Sequence, residues 1–389
     1  MGNDAHWIWE QPGWPELGYR HGMLAGRLSS VAQAIGRLQG RVATLAGPDR
    51  DRAGLAALTS DVLQSSAIEG EKLDLGAVRS SLARRLGVED AKRARTDRHV
   101  EGVVEMNLDA TRNADAALTI KRLKSWQAAL FPTGRSGLSE IRVGRWRNDA
   151  DGPMQVVSGP IGKHRVHYEA PPADRLDSEM KRFTDWCEAP SGEPHLLRAG
   201  LAHLWLVTLH PFDDGNGRVA RAVGDLMLSR NDREPYRYYS VSAQIERERD
   251  AYYEILERTQ RGGLDVTPWL EWFLDCLSRA VARADKELDR VLVKALFWQR
   301  IAHVALSERQ MRALNRVLDE FDQPISNRKW AALTRTSSDT ALRDLRALVD
   351  AGVLERAGGG RSAAYWLVGV PLPEAGSRDK VLADEDPAP

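Results

Sequence analysis

The sequence predicts a mainly α-helical protein with small β-hairpins, on three observations. Apolar residues recur at three- and four-residue spacing through most of the chain, as in HLLRAGLAHLWLVTL (195–209) and RVARAVGDLMLSR (218–230). β-Branched residues between Gly and Pro breaks gather in 144–172, which reads as one short hairpin between helical regions. Residues 325–368 read as helix, tight turn, second helix and two strands around 358–360, a winged helix-turn-helix pattern in which Ser338 or Asp339 caps the second helix.

In order along the chain, Trp7, Trp9 and Trp14 beside Pro12 and Pro15 form an apolar arm expected to pack on the body. Helices follow to about residue 129, broken at Gly47-Pro48, near Gly87 and at Asn113. After the hairpin, RLDSEMKRFTDWCE, the two segments quoted above and ERERDAYYEILERTQ are helical. Trp269, Trp272, Phe273, Leu277 and Val281 run down an amphipathic helix that continues as a charged connector to about Arg300. The expected division is an arm and helical domain over 1–110, a core over 111–280, a helical connector over 281–305, the winged helix over 306–370 and a disordered acidic tail over 371–389.

The 389 residues suffice for two or three domains. Basic and acidic residues number 55 each, so no global field draws the chain to nucleic acid or an anionic membrane. Cys187 and Cys276 have no second Cys or His at metal-ligand spacing, which argues against a disulfide framework or a zinc site. No apolar stretch approaches a membrane span, and no basic start leads into an apolar run, so a soluble cytoplasmic protein with no membrane partner is expected.

The chemistry concentrates in HPFDDGNGRVAR, residues 210–221, between two strongly helical patterns. Pro211 cannot continue the preceding helix, so that helix ends at His210. Gly215 and Gly217 flank Asn216, letting backbone N–H groups converge into an anion nest, and the helix starting near Arg218 adds the positive end of its dipole. Such a loop suits phosphate. Arg218 and Arg221, one turn apart, carry forked donors that match phosphate oxygens, and Asp214 is a hard ligand for a divalent cation. His210 titrates near neutrality and can accept a proton from a hydroxyl. Taken singly, the histidine also reads as a helix cap and the Gly-Asn-Gly as a turn.

These residues meet every fixed position of H-x-F-x-[DE]-G-N-G-R-x-x-R, and here the chain resembles the Fic family. The resemblance implies transfer of AMP from ATP to a Ser, Thr or Tyr hydroxyl of a protein, itself included, with release of pyrophosphate. It implies His210 as general base, Phe212 as the buried anchor of the loop and Asp214 as the ligand of Mg2+ (or Mn2+) on the phosphates. Asn216, the amides around Gly215 and Gly217, and Arg218 then stabilise phosphate charge. The 144–172 hairpin resembles the family's target-binding flap, with Ser158, Ile161 and Gly162 as its working part; an ordinary surface hairpin is the alternative. Tyr252 and Gln260 correspond to adenine-contacting positions, although Tyr252 beside Ile255 and Leu256 also reads as core.

SSAIEGE, residues 65–71, raises a separate question. Leu55, Leu58 and Val62 form a helical stripe, and Glu69 falls within roughly 15° of its mean direction. Gly70 is suited to close the helix in a left-handed cap. A local capping box between Ser66 and Glu69 is one reading. The family also carries an inhibitory motif, [ST]-x-x-x-E-[GN], which Ser65, Glu69 and Gly70 meet; it implies that Glu69 pairs with Arg221 and misplaces the ATP phosphates. A helix over about 55–70 is then an off-switch. The reverse reaction, removal of AMP from a modified target, is an alternative that some relatives follow.

For the C-terminal module, residues 321–370 hold seven Lys or Arg against five Asp or Glu, a weak footprint for DNA, so docking of protein competes with DNA binding. A DNA-binding regulator using the core as a nucleotide sensor is the alternative from another class. The N-terminal arm and helices, and the winged helix after the core, resemble the arrangement of one Fic subgroup, in which homodimers are common.

Overall fold

The computed structural model describes residues 6–88, 97–159, 163–230, 236–319, 324–358 and 363–370. Fourteen helices and three short antiparallel strand pairs occur among them, and the fold is mainly α. The chain divides into two compact units, Met1–Asp285 and Lys286–Pro389. Ile161, Gly162 and the tail beyond 370 lie outside the described residues.

In the first unit, the arm makes a 3-10 turn at Ile8–Glu10 and is followed by α1 (His21–Val42), α2 (Gly47–Ile68), α3 (Leu75–Leu86), α4 (Arg98–Arg112) and α5 (Ile120–Leu130). Next come two strand pairs, β1 (Arg135–Ser136) with β2 (Ser139–Glu140) and β3 (Gln155–Ser158) with β4 (Arg165–Glu169). Then follow α6 (Leu176–Glu188), α7 (His195–Leu209), α8 (Asn216–Ser229), α9 (Val241–Arg247), α10 (Arg249–Gln260) and α11 (Thr267–Arg300), of which the part to Asp285 belongs to this unit. From Leu196 onward every residue of α7 is buried, as an all-round apolar helix requires, and α8 packs along it. The arm packs as expected: Trp7 and Trp14 are buried, Trp7 meets Tyr168 edge-on at 5.3 Å, and the Trp14 indole N–H donates to Glu179 at 3.1 Å.

The hairpin expected within 144–172 is β3–β4. The pair β1–β2 ahead of it was not expected; its strands are two residues each around Gly137, too short to leave an alternating pattern. Three expectations change. ERERDAYYEILERTQ is not one helix, because Glu248 breaks it at φ −111°, ψ 28° and α9 starts earlier, under a Ser240 cap. Ser66 and Glu69 form no capping box: α2 runs from Gly47 to Ile68, so Ser66 lies in its last turn and Glu69 at its C-terminal end. In the second unit Ser337 caps α14, accepting from the Thr340 N–H, so the helix begins at Ser338.

The second unit contains α12 (Glu308–Asp319), α13 (Asn327–Thr334), α14 (Ser338–Asp350) and the hairpin β5 (Leu354–Ala357) with β6 (Ala364–Leu367). Trp330 is fully buried at its centre with Leu314, Leu345 and Val353, and its indole donates to Asp344, which Arg309 grips from α12 at 2.7 Å.

Candidate active site

The loop between α7 and α8 is shaped by its own residues. His210 takes the left-handed conformation (φ 47°, ψ 54°) that ends α7 ahead of Pro211, and Phe212 beneath it is fully buried. The Asn216 side chain clamps the loop, accepting from the Phe212 N–H at 2.9 Å and donating to the Phe212 carbonyl at 2.7 Å. This clamp sets the first turn of α8, whose backbone N–H groups lack helical partners, at the mouth of the loop. Gly215 supplies the positive φ (87°) at the N-cap.

His210 Nδ1 lies 3.0 Å from the Val207 carbonyl, which can only accept, so the proton sits on Nδ1 and Nε2 keeps its lone pair. Burial, with the Arg147 charge added, pushes its pKa below the ordinary histidine value against the pull of Glu69 and Asp214. The imidazole is therefore neutral near pH 7. It opens on a cleft of about 770 Å³ lined also by Glu69, Asp214, Gly217, Tyr252 and Gln260. A larger open groove between α4 and α5 contains none of these residues.

Glu69 reaches Arg221. Its Oε1 accepts from Arg221 Nη2 at 2.8 Å, while Ser65 takes Nε on its hydroxyl at 3.0 Å and Nη2 on its carbonyl at 2.8 Å. Arg221 is 3% exposed, and its Nη1 is buried with no hydrogen-bond partner among the described residues. A buried cation needs this anion. The carboxylate also rests against the first turn of α8: a Cβ on Gly217 would lie 2.2 Å from Glu69 Oε1, so only glycine leaves room. Gly70 turns the chain after α2 at φ 82°. Glu69 thus occupies the helix terminus where a phosphate would be drawn.

Sequence reasoning missed Glu71. Its Oε2 accepts from Arg218 Nη1 at 2.6 Å, and the Arg218 guanidinium lies over the Phe131 ring. Both motif arginines are therefore neutralised by one three-residue segment. His99 stands behind Glu71, its two ring nitrogens 3.2 Å from that carboxylate and 3.1 Å from the Leu130 carbonyl. The Glu71 hydrogen bond raises the His99 pKa.

Other residues are placed as follows. Asp214 takes the Gly215 N–H at 2.6 Å and the Ser136 hydroxyl. Tyr252 is 1% exposed, its hydroxyl 2.9 Å from His203, and Gln260 donates to Thr208 at 3.3 Å. Both border the cleft, and both are buried. Behind the site, Arg237 bridges Asp61 of α2 and Asp225 of α8 at 2.6 Å each, all three 5% exposed or less. Burial and the Asp61 charge raise the Asp225 pKa against the pull of Arg237.

The first unit is mainly helical, with His210 and a glycine-bounded loop leading into α8. Residues 117–228 match the Fic/DOC family model, and the chain carries a domain of that family. Residues 7–88 match a second model, described as a domain of unknown function (DUF4172). Among curated relatives, protein adenylyltransferase Fic of Drosophila willistoni is 29% identical over 235 residues, covering 59% of this chain and 42% of that protein. Protein adenylyltransferase Fic of Nematostella vectensis is 34% identical over 121 residues, 30% of this chain and 26% of that protein. The matches thus span less than half the length of these relatives. A Fic family protein from Desulfovibrio desulfuricans G20 shares the fold, with a TM-score of 0.50 at 21% identity over 89% of this chain and 97% of that one. No described helix is long and apolar enough to cross a membrane.

Proposed function

We propose that the chain is a protein adenylyltransferase that transfers AMP from ATP to a protein hydroxyl and is held off by Glu69. The observation that carries this reading is the neutral His210, with its proton on Nδ1 and its free Nε2 on the cleft beside the α8 terminus. Attack of a target hydroxyl on the α-phosphorus forms an O–P bond, breaks the bond to pyrophosphate and passes the proton to Nε2. The amides of the α8 first turn, Arg218 and Arg221 meet the phosphate charge; the unpartnered Nη1 of Arg221 is a donor suited to it. Asp214, with both oxygens toward hydrogen bonds yet retaining lone pairs, fits Mg2+, which is commonly held by one or two carboxylates and the phosphates. Bound there, Mg2+ would neutralise phosphate charge.

While Glu69 holds Arg221, the phosphates are denied that arginine, and a misplacement of about 1 Å costs on the order of a hundredfold in rate. Glu69→Gly is expected to raise AMP incorporation from labelled ATP tenfold or more, into the protein itself and into proteins of a cell extract; an unchanged signal removes the inhibitory role. Glu71→Gln added to it should raise the rate a further severalfold by freeing Arg218, and no increment would mean that the Glu71 pair is structural only.

The lowered His210 pKa has a direction in rate. Because the base form persists to lower pH, the acid limb of kcat/KM of the Glu69→Gly protein should have its midpoint below about pH 6.5, the ordinary histidine value. A limb with its midpoint above that value contradicts the assignment.

A further inference from the structure

Asp214 is held by chain outside the 210–221 loop, and the hairpin β1–β2 supplies the contact on its side chain. The Ser136 hydroxyl donates to Asp214 Oδ2, while the Gly215 N–H donates to Oδ1 at 2.6 Å. Each oxygen so engaged keeps a further lone pair. The frame that delivers Ser136 is braced on both flanks. Gly134 and Gly137 take positive φ (74° and 55°), which lets strands of two residues turn back on each other, and the Ile141 N–H closes on the Gly134 carbonyl at 3.1 Å. Past the hairpin, the Arg142 N–H donates to Asp213 Oδ2 at 2.7 Å. Gln127 of α5, fully buried, accepts from the Gly144 N–H at 2.7 Å and donates to the carbonyls of Arg142 at 3.3 Å and Asp214 at 3.5 Å. Main chain and carboxylate of Asp214 are thus both tied to the segment 127–144. The kind of donor matters as well. Among the described residues the carboxylates of Glu69, Glu71 and Glu257 each meet an arginine, whereas that of Asp214 hydrogen-bonds only to two neutral donors. A hydroxyl and an amide fix direction without cancelling charge, so Asp214 brings its full negative charge to the cleft.

We propose that Ser136 is a positioning residue for the divalent cation: its hydroxyl holds the Asp214 carboxylate in one orientation, with lone pairs left for the ion. The proposal rests on the reading of Asp214 as that cation's ligand. Hydrogen-bond partners of a ligating carboxylate orient it, and their removal costs about 10–100-fold in metal affinity. Ser136 acts through Asp214, so its loss should weaken the hold on the cation and leave the metal-free hold on the nucleotide as it was.

The test uses the full chain with Glu69→Gly and an ATP analogue carrying a methylene group between the α- and β-phosphorus, so that binding is read without transfer. Mn2+ is titrated, and the enhancement of water proton relaxation reports the ion held on the protein. Ser136→Ala is expected to raise the half-saturating Mn2+ concentration about 10–100-fold, and Ser136→Thr, which keeps the hydroxyl, to restore most of that loss. Asp214→Ala sets the scale of a lost ligand. In EDTA the analogue should bind Ser136→Ala as tightly as the parent. An unchanged Mn2+ titration for Ser136→Ala, with Asp214→Ala weakened, overturns the proposal and leaves the reading of Asp214 standing. Unchanged titrations for both variants overturn both. Analogue binding in EDTA that weakens as much as Mn2+ binding also overturns it, because the hairpin would then merely hold the loop together.

Discussion

His210→Ala in the Glu69→Gly background is expected to lower AMP transfer to extract proteins by on the order of 10²–10⁴-fold, the range a positioned general base contributes. The geometry leaves little redundancy. The imidazole is held by the Val207 carbonyl on a residue whose left-handed backbone ends α7, so a water in the vacated space would have neither the basicity nor the fixed direction. The structural cost is small, because the loop is braced independently by Phe212 and by Asn216. Gel-resolved labelling of the extract measures the rate, and transfer at the level of the parent protein removes His210 as base.

Arg237→Met should produce the largest loss of stability. It leaves Asp61 and Asp225 buried without their shared cation, and breaking a buried pair by removing one partner costs about 3–5 kcal/mol. The thermal midpoint of the first unit is expected to fall by on the order of 10 °C. The Ser240 hydroxyl and the Ser242 N–H, both on Asp61, soften the loss on one carboxylate only. Asp225→Asn should cost less than Arg237→Met, since its carboxylate is the one whose charged form burial already disfavours. A midpoint shift under about 2 °C for Arg237→Met would mean that the network carries little stability.

Much of the fold was legible because its signals are local. Helix α7 is apolar on every face, the arm's tryptophans have no hydrophilic use, and Pro211 with Gly215 marks where α7 stops and α8 starts. That Glu69 needs a partner was legible because a charge on an apolar helical face requires one; Arg221 as that partner came from the resemblance to the Fic family. What escaped lies where periodicity ends. Glu71 follows α2 in irregular chain, so no helical angle relates it to Arg218, and His99 approaches from a different helix. Asp61, Ser65 and Glu69 do recur every fourth residue on α2, a polar stripe pointing to buried partners. Arg237, however, sits in irregular chain ahead of α9 with no pattern to pair it.

Nucleotide labelled at one phosphate tests the central claim most directly. The Glu69→Gly protein is incubated with Mg2+ and with ATP labelled either at the α- or at the γ-phosphate, and the label retained on denatured protein is counted. Adenylyl transfer predicts retention from the α-labelled ATP and none from the γ-labelled ATP, because the γ-phosphate leaves with pyrophosphate. Retention from the γ-labelled ATP, or none from either while ATP binds, would contradict it.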